Sequence, residues 1–115
     1  MTTNATLAAK PIEPIEGCVA SALQILGNKW TALLIRDLST GSQRFCALER
    51  SLDGISPRTL SQRLTDLEEH GIVTKETYAE APPRTEYALT EKGEALIPIL
   101  RQMANWGEKY PKSCN

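Results

Sequence analysis

A chain of 115 residues is about the length of one domain. At 41% hydrophobic and 23% charged it has the composition of an ordinary globular protein, neither fibrous nor disordered. The net charge of −1 gives no general attraction to nucleic acid, and no apolar run approaches the ~18 residues of a membrane span.

The charge is unevenly spread. Residues 28–65 carry Lys29, Arg36, Arg44, Arg50, Arg58 and Arg63 against Asp37, Glu49 and Asp53, a local +3 in a chain whose remainder is acidic. Such a centre forms either a positive patch or an ordinary solvated face. The start, MTTNATLAAKPIEPIEG, lacks the basic cluster and apolar block of a secretory leader. Three cysteines with no CxxC pair fit a cytoplasmic protein better than a disulfide scaffold.

In chain order, residues 1–15 hold Pro11 and Pro14 without periodicity and read as a flexible arm. Residues 16–110 read as the folded domain, and 111–115 as a tail. From Cys18, CVASALQILG places Val19, Ala22, Leu23 and Leu26 on one side of a short helix ending at Gly27. Asn28 is placed to cap KWTALLIRDLST, a buried central helix with Trp30, Leu33, Leu34 and Leu38 on its apolar face. Gly41 stops it. QRF is a short extended link, CALERSL a third helix with Phe45, Leu48 and Leu52 inward, and DGI a tight turn.

The stretch SPRTLSQRLTDLEEHG has both ends of a helix written into it. Ser56 is a cap, Pro57 suits the first helical position, and Gly71 suits the left-handed turn beyond the last. Leu60, Leu64 and Leu67 face a core. At ~100° per residue, Arg58, Gln62 and Thr65 lie opposite that stripe. Thr59 and Arg63 flank them on one edge and Ser61 on the other. Arginine can fork onto guanine, glutamine can pair twice with adenine, and threonine offers a methyl or a hydroxyl. These residues fill the first half of the helix with no acid among them. Asp66, Glu68 and Glu69 fill the second half, directed away from phosphate. The alternative is a mixed polar surface helix.

Beyond Gly71 the pattern turns β-rich. IVTKETY and TEYAL read as a two-stranded hairpin joined by AEAPPR. Arg84, at the end of that loop, and Arg44, before the third helix, are candidates for phosphate or simply solvated; Glu76 and Glu80 count against a strongly basic hairpin. Thr90 caps a last helix with the stripe Leu96, Ile99, Leu100, Met103, Trp106 and Tyr110, bent where Pro98 removes a backbone bond. That stripe is too long for one small domain to cover, so part of it is expected to bury in a twofold dimer. The fold is therefore mainly α with a small β-hairpin wing, a winged helix-turn-helix with the helix at 56–70 in the recognition position.

Several spaced motifs in residues 18–107 then agree with one family: GNKW, RF..L...L.GIS, L..RL..LE..GIV, PPR.EY.LT..G and Trp106-Gly107. The chain resembles the HxlR-type winged helix-turn-helix transcriptional regulators of bacteria. The resemblance implies a cytoplasmic homodimer, joined through its first and last helices, that binds double-stranded DNA as a repressor or activator. It names no cofactor and no small-molecule inducer. Such regulators often carry a cysteine near the start of the first helix, and some sense oxidants or electrophiles with it. Cys18 stands there, with Val19 in place of the family's usual proline. A helix N-terminus favours the reactive thiolate, while Glu16 opposes it; a small packed cysteine is the other reading. Cys46 stands where relatives often carry a polar residue and is a candidate partner thiol.

The single histidine, His70, lies in a last helical turn, and no two of Cys18, Cys46, Cys114 and His70 are close in sequence, so no metal site is expected. No motif supplies a catalytic base or an anion site to a nucleophile, so no enzyme is expected. A winged-helix module that binds protein without specific DNA binding is the second reading. The acid-free face of Arg58, Gln62 and Arg63 favours DNA.

Overall fold

The computed structural model describes residues 17–112. The expectations for the arm at 1–15, for Cys114 and for the end of the tail lie outside that range. The elements are α1 (Cys18–Leu26), α2 (Lys29–Leu38), β1 (Gln43–Arg44), α3 (Phe45–Ser51), α4 (Pro57–Glu69), β2 (Val73–Tyr78), β3 (Arg84–Leu89), α5 (Glu91–Glu94) and α6 (Ile97–Lys109).

Local chemistry sets where the helices begin. Asn28 Oδ1 accepts from the Trp30 amide at 2.8 Å, opening α2. Ser56 Oγ accepts from the Thr59 amide at 3.0 Å, opening α4 with Pro57 in its first turn. Thr90 Oγ1 accepts from the Gly93 amide, opening α5. Each cap is worth about 1 kcal/mol. Burial contributes more, at roughly 1.5–3 kcal/mol for each fully buried aliphatic side chain. Leu60, Leu64 and Leu67 of α4 pack with Leu34, Ile35 and Leu38 of α2, Leu48 of α3, and Leu52 and Ile55 of the turn between α3 and α4. The caps fix the register of α4 and its leucines fix its place.

At the far end of α4 the Gly71 amide donates to Glu68 O at 3.0 Å and the Ile72 amide to Leu67 O at 2.8 Å. This pair of bonds closes a helix through a left-handed residue, and Gly71 has φ +74°. The chain leaves directly into the hairpin. α5 then folds back over the same point. Thr90 Oγ1 donates to the carbonyls of Gly71 and Ile72, and Lys92 Nζ donates to His70 O at 2.7 Å. A Cβ on Gly93 would collide with the Ile72 carbonyl oxygen.

The sheet has three strands in the order β1-β3-β2, all antiparallel. The expected hairpin is present as β2 and β3, and the extended link before α3 joins it as a third strand. Gln43 and Arg44 pair with Tyr87 and Glu86, because β3 has a second edge and the extended link before α3 fills it. Arg84 is not at the end of the loop but the first residue of β3, opposite Tyr78. Strand alternation puts Val73, Lys75, Tyr87 and Leu89 on the face continuous with the core, and Glu76, Tyr78, Arg84 and Glu86 on the other.

The single bent helix expected after Thr90 is also corrected. The chain stops at Glu94, passes Ala95 and Leu96, and restarts at Ile97. Pro98 therefore lies in the first turn of α6, where a missing N–H costs nothing, and bends no helix interior. Leu96, Ile97 and Leu100 pack against the core, whereas Ile99 is 48%, Met103 52%, Trp106 67% and Tyr110 56% exposed. On α1, Ile25 and Leu26 touch the core while Val19 and Leu23 are exposed. No single helix among the described residues is long and apolar enough to cross a membrane.

Candidate nucleic-acid interface

α3, the turn Leu52–Ile55 and α4 make a helix-turn-helix, with the Ile55 amide donating to Leu52 O at 3.0 Å. Burial of the α4 leucines presents the opposite side to solvent. Arg58, Ser61, Gln62 and Thr65 are exposed there. Among the described residues Arg58 has no ion pair. It stands in a first turn without acids, where the helix dipole adds to its own charge.

The neighbouring candidates are engaged. Ser56 Oγ and Thr59 Oγ1 are 2.9 Å apart, and both serve the cap. Gln62 Nε2 donates to Asp66 Oδ1 at 3.0 Å, and Arg63 Nη2 lies 2.8 Å from Asp66 Oδ2. Asp66, one of the acids of the second half, reaches back one turn to both, because residues three and four apart share a helix face. That spacing was the available signal.

On the wing, Arg84 is enclosed. Its Nη2 lies 3.2 Å from Glu80 Oε2 and its Nε 3.3 Å from Glu86 Oε2, while its guanidinium sits 4.3 Å from the centre of the Tyr78 ring. Its side chain is only 27% exposed. Glu86 also accepts from Ser42 Oγ at 3.3 Å. With Glu86 so occupied, its register partner Arg44 has no ion pair among the described residues. Arg44 and Lys75 line a groove of about 580 Å³ between the start of α3 and the wing, walled by Phe45, Pro82 and Pro83. Lys75 was not singled out from the sequence, although strand alternation places it on this face.

Cys18 is the first residue of α1 and Cys46 the second of α3; both are free thiols and exposed. His70 is exposed at the end of α4. Tyr87 is 7% exposed. Burial, and secondarily the Glu68 charge, pushes its phenol above the ordinary value of 10.0. Among the described residues no group of three or more His, Cys, Asp or Glu side chains is arranged to hold a metal ion.

Residues 25–114, most of the chain, match the HxlR-like helix-turn-helix family. The chain belongs to that family. The HxlR-like sequence is 44% identical over 89 residues to the HTH-type transcriptional regulator YvaP of Bacillus subtilis, spanning 77% of this chain and 82% of that one. It is 41% identical over 92 residues to an HTH-type transcriptional regulator of Methanothermobacter thermautotrophicus, spanning 80% and 70%. Among solved structures, the redox regulator HypR in its oxidized form superposes with a TM-score of 0.75 at 39% identity, covering 82% of this chain and 97% of that one. The reduced form of the transcriptional regulator YodB from B. subtilis superposes with a TM-score of 0.75 at 33% identity, covering 84% and 94%. This HxlR-like chain is accordingly a winged-helix transcriptional regulator that binds DNA.

Proposed function

We propose that the protein reads its operator with the first half of α4, as a homodimer built on α1 and α6. The observation that carries the first part is Arg58, exposed, without an ion pair among the described residues and set in an acid-free first turn. Arg58 and Gln62 meet base edges, with Ser56, Thr59 and Arg63 beside them. Arg44 and Arg84 meet the backbone, Arg44 more readily because Arg84 is already held by two carboxylates. The folded unit, residues 16–110, acts in the cytoplasm with the DNA it binds, as a binding protein and not an enzyme.

The dimer is supported by the uncovered part of the α6 stripe, Ile99, Met103, Trp106 and Tyr110, and by Val19 and Leu23 on α1. These side chains gain by burial against a second copy. Two α4 helices then read half-sites about one helical turn of DNA, or a multiple of it, apart. Cys18, an exposed thiol at the first turn of α1, is the residue through which an oxidant or electrophile acts. A structural neighbour at 39% identity is described as a redox regulator, which supports this reading.

The test uses the full chain and an operator selected from random duplexes. Arg58→Ala and Gln62→Ala each lower the ratio of operator to scrambled affinity, by about 1–3 kcal/mol, while light scattering at micromolar concentration gives a dimer mass. An unchanged ratio in both variants removes α4 as the reader, and a monomer mass removes the dimer. Diamide lowers operator affinity of the wild type and leaves Cys18→Ser unaffected; equal responses return Cys18 to a packing role.

A further inference from the structure

We propose that Asp66 is the positioning residue of the reading helix, trading overall DNA affinity for discrimination between sequences. This rests on α4 being the reader. One carboxylate holds two neighbouring side chains, Gln62 by Oδ1 at 3.0 Å and Arg63 by Oδ2 at 2.8 Å. Neither distance requires the other, and together they fix two flexible side chains from one point.

The chemistry of the glutamine makes this more than a surface contact. Its amide has two N–H donors and one oxygen. Giving one N–H to Asp66 leaves the second N–H and Oε1, the pair that adenine requires. An amide turned over would set Oε1 against a carboxylate, so Asp66 selects which way the reading edge faces. Arg63 keeps further donors after the contact through Nη2, but its charge is offset. A flexible Gln or Arg loses rotamer freedom when it meets a base. Here part of that loss is taken on folding, in the geometry the right base needs. A wrong base meets the same fixed groups and leaves them unpaired. The carboxylate itself repels phosphate of every sequence, which lowers non-specific binding.

An ordinary helical ion pair would sit at the same spacing and contribute only tenths of a kcal/mol to folding. Two substitutions separate the roles. Asp66→Asn removes the charge and the Arg63 pair but keeps an oxygen for Gln62. Asp66→Ala removes the charge and both contacts. Each is measured in the full chain, beside Gln62→Ala, on the selected operator and on a scrambled duplex at one salt concentration, with helical circular dichroism as the check on folding.

Both Asp66 variants bind scrambled DNA more tightly than the wild type, and to the same extent. The operator-to-scrambled ratio falls about threefold for Asp66→Asn and about tenfold for Asp66→Ala, the size of losing preset order in one and in two side chains. In the Gln62→Ala background, Asp66→Ala costs less than it does alone. A wild-type ratio in both Asp66 variants, with Gln62→Ala reducing it, overturns the role of Asp66 and leaves α4 as the reader. A wild-type ratio in Gln62→Ala as well overturns the role of Asp66 through Gln62, and α4 falls as the reader only if Arg58→Ala, measured beside it, also keeps the wild-type ratio. If Asp66→Ala fails the folding check, Asp66→Asn decides alone by the same ratio.

Discussion

Arg58 and Arg84 stand on the two parts of the molecule that a winged helix offers to DNA. As side chains they are identical. Arg58 opens α4 in a turn without acids and has no ion pair among the described residues. Arg84 opens β3 between Glu80 and Glu86 and against the Tyr78 ring. The same solvent face of the wing adds Glu76, directly across from Glu86. A guanidinium on the helix is available to a ligand; one on the wing is already spent on neutralising its neighbours. The number of basic residues on an element therefore says little about how much positive charge it can lend.

The largest expected effect that tests this contrast is on operator binding. Arg58→Ala is expected to cost about 1–3 kcal/mol on the selected operator, and Arg84→Ala less than half of that, since phosphate must first displace carboxylates from Arg84. Gel-shift titration of both variants checks it, and equal losses would break the comparison. Next is the cap that presents Arg58. Ser56→Ala is expected to lower stability in urea unfolding by about 1 kcal/mol, with no counterpart on the wing.

A smaller effect sharpens the wing's side. Glu80→Gln removes one carboxylate from Arg84 and is expected to tighten binding to every duplex alike. It should also steepen the salt dependence, by up to about one unit of log–log slope when the freed Arg84 neutralises one phosphate. A salt series on scrambled DNA reads it; a weaker or unchanged affinity would mean that Arg84 stays out of reach even when freed. The smallest effect is on pH. Burial and Glu68 raise the Tyr87 phenol above 10.0, so on raising the pH the unfolded chain loses this proton first. The contribution is intact below about pH 10 and is lost as pH climbs through the folded value. Tyr87→Phe is expected to flatten the alkaline fall in stability relative to wild type, measured by urea unfolding at pH 9 to 11; parallel curves would show that the phenol titrates alike in both states.

The same contrast marks what could be read from the residues. α4 was legible from end to end, because Ser56, Pro57, the leucine stripe and Gly71 act within one or two turns of themselves. The hairpin was legible from alternation. β1 was not, since two residues carry no period and their pairing with Tyr87 and Glu86 is decided more than forty residues away. The stop at Glu94 lies four residues before Pro98, which has no N–H to give the Glu94 carbonyl; the proline signalled a disturbance in the sequence, and the structure resolves it as a break with a restart at Ile97 and not as a bend. At the site, exposure of Arg58 followed from the helical wheel. The capture of Gln62 and Arg63 by Asp66 and of Arg84 by two glutamates depended on which rotamers meet, and sequence spacing only permits such meetings.

The bonds of Thr90 and Lys92 to the carbonyls of His70, Gly71 and Ile72 have a mechanical consequence. They clasp the end of α4 to the segment that leads into α6, and Gly93 leaves no slack between them. The end of α4 opposite Arg58 and the start of the segment that runs on into α6 thus share one anchoring point, made of side-chain bonds to three successive carbonyls.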